Sequence, residues 1–251
     1  MPAPTVGVAM SVYNQAHLVR TSLESLLDQT RPPDRIVVVD DGSDDDSCAV
    51  VEDYSTHGVD LVRLDRRGVS EVLNAGAKLL DTDYIAIQAA DDLSLPNRLA
   101  VQLDVALAED AVLVTALPKV IDESGLEVDD ETAGEFFTFP DDDLPILRRL
   151  FETGNLLCAS SALIKRSAFN LVGGFHPRLL HLQDYWLWIR LSGVGRVTRL
   201  QDRLVSYRRI SQSGNLSSPA NDHRMRVELG YCFRHFFEVV TDEQFLASFG
   251  E

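Results

Sequence analysis

Residues 84–98 read Tyr84-Ile85-Ala86-Ile87-Gln88-Ala89-Ala90-Asp91-Asp92-Leu93-Ser94-Leu95-Pro96-Asn97-Arg98, an apolar run that ends in two adjacent carboxylates and a proline. An apolar run of this length bounded by turn residues predicts a buried strand, and a proline suited to a first helical position predicts a helix behind it. In an open α/β sheet ligands collect beyond the carboxyl ends of the strands, where Asp91 and Asp92 can hold a hard cation against phosphate oxygens. Alone, the pair has a plainer explanation, with Asp92 or Ser94 capping the helix that follows. The neighbouring segments decide between the two.

Upstream the same pattern recurs. Thr5–Val12 predicts a first strand, Tyr13-Asn14-Gln15 a turn and cap, and Ala16–Gln29 a helix with Leu18, Leu23, Leu26 and Leu27 at helical spacing. Pro32-Pro33 stops that helix, and Asp34–Asp40 then reads as a buried parallel strand delivering Asp40-Asp41-Gly42-Ser43 to the same edge. Val59–Leu64 is a weaker third strand, followed from Gly68 by a helix through Val72, Leu73, Ala77 and Leu80 that sets Asn74 and Lys78 one turn apart. Pro96–Glu109 is expected to be the next helix, with Leu99, Leu103 and Leu107 on one face. Strands alternating with helices over residues 5–110 predict an α/β fold with a parallel, doubly wound sheet and right-handed crossovers. Neither GxGxxG nor GxxxxGK[ST] occurs, so a bound nucleotide would be held by carboxylates and a metal.

Composition narrows the class. The 251 residues are 45% apolar, enough for a substantial core. No apolar run reaches the roughly 20 residues of a membrane span, and the N-terminus lacks a signal-peptide layout, so a cytoplasmic location is expected. A net charge of −16 argues against a nucleic-acid partner, which needs clustered Lys and Arg. Cys48, Cys158 and Cys232 show no CxxC spacing, which disfavours zinc and suits reduced thiols.

Beyond residue 110, Ala111–Val120 predicts a strand and Val120–Val128 a hairpin, an antiparallel addition of the kind found at a sheet edge. The acidic stretch 129–143 is expected to be a loop, and Ser211–Ser218 another polar loop. Leu144–Glu152 predicts a helix, Leu156–Lys165 a strand, Arg166–Val172 a short helix stopped by Gly173-Gly174, and Leu182–Leu191 a helix with Asp184 in its first turn. Val205–Arg209 closes the core, and a helix over 219–240 carries aromatics whose contact is a core, a second subunit or a membrane surface.

The order of these motifs resembles the family 2 glycosyltransferases, inverting enzymes of the GT-A fold that use nucleotide diphosphate sugars. The likeness spans residues 5–215 and rests on Ser11-Val12-Tyr13-Asn14, Val38–Asp44, Gly68–Gly76, Ala90-Asp91-Asp92 with Pro96–Leu99, Gly173-Gly174-Phe175, Gln183–Leu191 and Tyr207-Arg208. It implies a Rossmann-like three-layer α/β/α sandwich with a mixed, mostly parallel sheet. The domain would cover residues 1–218, with a nucleotide-binding half over 1–110, an acceptor half over 111–218 and a helical extension over 219–251. The resemblance places Val12, Tyr13, Asn14, Asp40, Asp41, Asn74 and Asp91 on the nucleotide, Asp91 and Asp92 on Mn²⁺ or Mg²⁺, and Asp184 as the catalytic base.

Four positions depart from the family's pattern. Ala89 stands for an acid, Leu73 for an arginine, and Ile210 for a histidine, with His223 the nearest substitute. Gln183 likewise neutralises the usual acid before Asp184, whose local reading is a helix cap. Arg208 or Arg209 is expected on donor phosphate or in a surface ion pair. The implied partners are a UDP- or dTDP-sugar and a saccharide or lipid-linked acceptor, with peripheral membrane contact open. The rival readings are a non-catalytic nucleotide-sugar-binding module and a sugar nucleotidyltransferase. The latter is disfavoured because Ser11-Val12-Tyr13-Asn14 stands where a Gly- and Arg/Lys-rich phosphate loop is expected.

Overall fold

The computed structural model describes residues 3–128, 144–210 and 222–250. Strand β1 (Val6–Val12) is buried nearly throughout because helices cover both of its faces. It pairs in parallel with β2 (Arg35–Asp40) and β4 (Tyr84–Ala89), and β2 pairs in parallel with β3 (Val59–Arg63). Side chains alternate across a strand, so the sheet supports two cores. Val6, Val8, Met10 and Val12 pack with Leu23 and Leu26 of α1 (Ala16–Leu27) and Leu99 and Leu103 of α4 (Arg98–Ala108). Ala9, Val37, Val39, Ile85 and Ile87 face Val72 and Ala77 of α3 (Val69–Leu79) on the other side. Each such Val, Leu or Ile contributes roughly 1.5–3 kcal/mol on burial. A short helix, α2 (Ser47–Glu52), lies between β2 and β3.

The remaining strands are β5 (Leu93–Ser94), β6 (Ala111–Ile121), β7 (Leu163–Lys165) and β8 (Arg196–Arg208), giving the sheet order β3-β2-β1-β4-β7-β6-β8-β5. Helices α5 (Ile146–Thr153), α6 (Arg166–Val172), α7 (Gln183–Ser192), α8 (Asp222–His235) and α9 (Asp242–Phe249) complete the described elements. The result is the expected α/β/α arrangement, mixed and mostly parallel. The chain runs from β1 outward to β3 and returns to β4, so a crevice opens at the carboxyl ends of β1 and β4.

Several local expectations change. Beside the antiparallel β5 at the edge of the sheet, a second antiparallel strand is internal: β7 lies between β4 and β6 and runs against both. Leu156–Lys165 is not one strand, because Ser161 donates its hydroxyl to Cys158 O and accepts from Ala116 N, bending the chain into a 3-10 turn at Ala159–Ser161. Leu93–Ser94 is drawn into edge pairing with β8, and α4 begins at Arg98, after Pro96. Strand β8 starts nine residues before Val205; much of its first part is exposed, which hides it from an apolar-run reading. The hairpin after β6 closes through Asp122–Leu126 with a single Ile121–Glu127 bridge. The C-terminal helix ends at His235, and a second one follows, started by a Thr241–Gln244 capping box. The loops expected at 129–143 and 211–218 lie outside the described residues.

Arg98 explains why the acidic motif carries an arginine six residues on. Its side chain is fully buried and donates to Gln88 Oε1 (2.7 Å), Ser94 Oγ (2.9 Å), Ile87 O (2.9 Å) and Gln102 Oε1 (3.1 Å). One guanidinium thus ties the end of β4 to β5 and α4, bracketing the turn that holds Asp91 and Asp92. Burial lowers it to about 10, which leaves it charged at neutral pH.

Candidate active site

A cavity of about 1010 Å³ opens where the carboxyl ends of β1 and β4 meet the start of α7, and Val12, Tyr13, Asp41, Asp91, Asp92 and Asp184 all line it. Tyr13 follows β1 with its ring partly exposed, and the Arg66 guanidinium lies 4.5 Å from the ring centroid. Asp41 follows β2 and accepts from Arg67 N (2.6 Å) and Gly68 N (3.0 Å). Gly68 sits at φ +86°, a left-handed turn that starts α3 and lets both amides meet one carboxylate.

Asp91 and Asp92 form the second wall. Asp92 is 1% exposed; its Oδ1 accepts from Arg208 N (2.8 Å), and the Ser160 hydroxyl bonds to the same carboxyl. Burial, and then the neighbouring Asp91, push Asp92 up to about 8. Burial also raises Asp91, against the pull of Arg208 and Gln15. The Arg208 side chain donates to main-chain oxygens of Asp91 (2.9 Å), Asp122 and Glu123 (both 3.0 Å). It thereby braces the acidic turn, and Arg209, the other arginine expected on phosphate or in a surface ion pair, lines the cavity.

Asp184 is the second residue of α7 and is 9% exposed. Asn155 Nδ2 donates to its Oδ2 (2.8 Å) and Tyr185 N to its Oδ1 (2.7 Å). Burial raises it to about 6, although both donors pull the other way. A buried carboxylate that loses its proton just below neutral pH suits general-base work. Asn155 was missed in the sequence because it lies in an irregular segment 29 residues away.

Three residues assigned to the nucleotide do not line the cavity; their side chains bond within the protein, although Asp40 Oδ1 is buried without a partner among the described residues. Asn14, at φ +51°, donates Nδ2 to Asp44 Oδ1 (2.6 Å) and accepts from Asp44 N (2.9 Å), tying the exits of β1 and β2 together. Asp40 is 2% exposed and accepts from Gly42 N and Ser43 N, both at 3.0 Å. Asn74 clamps Phe175 from α3, donating to its O (2.8 Å) and accepting from its N (2.9 Å). Gly174 is required beside it: its φ is +70°, and a Cβ there would stand 2.5 Å from Asn74 Oδ1. Asn74→Ala is expected to cost about 2–4 kcal/mol in denaturant unfolding, since both main-chain groups of Phe175 lose a buried partner. Nucleotide affinity should be retained; its loss at unchanged stability would return Asn74 to the ligand.

Among the described residues no three His, Cys, Asp or Glu side chains cluster as a metal site, and no helix is long and apolar enough to cross a membrane. His223 is exposed on α8.

The chain is similar to a glycosyltransferase of Rickettsia felis, 27% identical over 252 residues that cover 97% of this chain and 40% of the relative. It thus spans about two fifths of that relative's length. Among solved structures, S. aureus TarS (residues 1–349) in complex with UDP-GlcNAc aligns with a TM-score of 0.70 at 16% identity, covering 97% of this chain and 73% of the other. The mannosyltransferase PcManGT from Pyrobaculum calidifontis, in complex with GDP-Man and Mn²⁺, aligns with a TM-score of 0.65 at 20% identity, covering 84% and 58%. At these identities the structures speak to the fold alone, and the fold is theirs. A model described as Glycosyl transferase family 2 matches residues 7–173, two thirds of the sequence, and carries the assignment further: the chain belongs to glycosyl transferase family 2.

Proposed function

We propose that this protein transfers a sugar, with inversion, from a nucleotide diphosphate donor of the UDP or dTDP type to an acceptor hydroxyl. The observation that carries the reading is the presence of two kinds of carboxylate in one cavity: the Asp91–Asp92 pair on the donor side and the separately held Asp184. Inversion needs a base that takes the acceptor's proton while the hydroxyl attacks opposite the leaving diphosphate, and Asp184 has the burial and protonation range for it. Val12, Tyr13 and Asp41 border the base and ribose, while Asn14, Asp40 and Asn74 brace the wall behind them.

The acids also suit a divalent cation. Two adjacent carboxylates are raised by burial and Asp92 further by Asp91, a strain that a cation relieves. Mn²⁺ or Mg²⁺ bind through one or two carboxylates and complete their shell with water and phosphate oxygens, so a two-acid site is sufficient. Such a cation, held by Asp91 and Asp92, would neutralise the departing diphosphate. The PcManGT complex with GDP-Man and Mn²⁺ and the TarS complex with UDP-GlcNAc support the donor class. The acceptor is a saccharide or a lipid-linked acceptor.

The first test is thermal unfolding with UDP, dTDP, GDP and their sugars, each with and without Mn²⁺ or Mg²⁺. A ligand at 100 times its Kd adds about 2.7 kcal/mol, which raises Tm by roughly 5–10 °C for a chain of this size. The expected result is a shift that needs metal and one nucleotide together. A flat response across the panel would replace the transferase by a non-catalytic module, the reading that Ala89 and Gln183 favour.

A further inference from the structure

Helix α8 turns Met225, Glu228, Leu229 and Cys232 inward, and Phe236 continues the stripe in the 3-10 turn that follows, a run of helical spacing interrupted by one carboxylate. Glu228 is 5% exposed, and an acid in such a place must find donors. It finds them on three successive amides. Its Oε2 accepts from His181 N and Leu182 N, both at 2.9 Å, and Leu180 N reaches its two oxygens at 3.1 and 3.2 Å. Arg224 Nε adds a donor at 3.1 Å. Burial alone would raise Glu228, but the amides of His181, Leu180 and Leu182 and the Arg224 guanidinium outweigh it and hold the group charged.

Those three amides immediately precede α7. Leu182 is its N-cap and has no side chain with which to cap, so the helix that carries Asp184 receives its anion from 46 residues downstream. A second contact fixes the same pair of helices, Tyr231 of α8 meeting Trp186 of α7 edge to face at 5.6 Å. Met225 and Leu229 stand on the cavity wall beside these anchors.

We propose that Glu228 is a positioning residue for the transfer reaction: by gathering the amides of residues 180–182 it sets where α7 begins, and so where Asp184 stands against the acceptor. The proposal rests on the reading of Asp184 as the base. It makes α8 part of the catalytic apparatus although no residue of α8 need touch the reacting atoms.

The test uses the full chain with Mn²⁺ and UDP-GlcNAc or UDP-glucose, following UDP release as turnover to water. Glu228→Gln keeps the size and one acceptor oxygen while removing the charge and the second oxygen; Glu228→Ala removes both. The expected result is a kcat lower by about 10–100-fold, since misplacing a catalytic group by about an ångström costs that much. The donor KM should stay within about twofold, and Gln should fall between wild type and Ala. If Ala does not fold, Gln carries the measurement. An unchanged kcat with a lowered Tm would mean that Glu228 only caps a helix, and kcat and KM worsening together would mean a disturbed cavity; either overturns the proposal. Asp184→Asn is measured alongside. Wild-type turnover in that variant, or no UDP release from the wild type, removes the base reading itself. An inactive Asp184→Asn with an unaffected Glu228→Gln removes the positioning role alone.

Discussion

Asp184→Asn is expected to lower transfer by about 10²–10⁴-fold, the usual contribution of a positioned proton acceptor, with donor affinity unchanged. The substitution is nearly isosteric. Asn155 Nδ2 and Tyr185 N reach different oxygens of Asp184, so the single carbonyl oxygen of asparagine keeps one of these donors and the other faces its NH2, as it faces the hydroxyl of the protonated acid. Rate against pH in the wild type should show an acid limb near 6, where Asp184 loses its proton, and the variant should lack it. Stability should move the opposite way. The folded group titrates at about 6 against an ordinary carboxylate near 3.8, because burial disfavours its charge. Folding therefore favours the protonated form. Stability is greatest below the unfolded value, falls as pH rises through the window from about 4 to 6, and carries the full penalty above it. That penalty is at most about 3 kcal/mol at 1.36 kcal/mol per unit. Asparagine lacks it, so the variant should unfold at a higher temperature than wild type at pH 7 and at a similar one at pH 4. An active Asp184→Asn enzyme would end the base assignment.

Asp92→Asn is expected to abolish the metal-dependent part of the nucleotide-induced Tm shift while leaving a folded protein. The amide oxygen can still accept from Arg208 N, the contact that holds the turn. What disappears is half the charge available to a cation. Partners one shell further out cost about 10–100-fold in metal affinity when removed, so loss of a direct ligand should reach at least the upper end. The pH dependence follows from the raised carboxylate. Burial and Asp91 make Asp92 hold its proton to about pH 8, and a cation must displace it. Mn²⁺ binding to wild type, measured by calorimetry, should therefore tighten from pH 6 toward 8 and level off above, with the two acids titrating as a pair. Binding that is flat over this range, or that survives in Asp92→Asn, would place the cation elsewhere.

Much of this was legible in the sequence. Strands β1, β2 and β4 are short apolar runs ending in polar turns, and burial on both faces makes such runs stand out. Helices α1, α3 and α4 carry their apolar residues at helical spacing. Reading failed where the signal was diluted. The exposed half of β8 alternates too weakly, β7 is only three residues long, and the Ser161 hydrogen bonds break what looked like one strand. The Glu228 stripe did carry a signal, an acid among apolar residues at helical spacing, but nothing local says which amides it will meet.

The sequence by itself determined the alternation of strands and helices, the delivery of acids to one edge of the sheet, and the candidates Asp91, Asp92 and Asp184. The first two follow from local composition and periodicity, which act over a few residues; the three candidates follow from the order of motifs that resembles the family 2 glycosyltransferases, since their local reading is helix capping. Only the tertiary structure decided which acids face the cavity and what holds them. Asp40 and Asp41 are neighbours, yet one turns into the β2 turn and the other lines the site. The donors that hold the acids come from far along the chain: Arg208 N reaches Asp92 across 116 residues and Asn155 reaches Asp184 across 29. A buried carboxylate is costly without such donors, and long-range packing alone brings them.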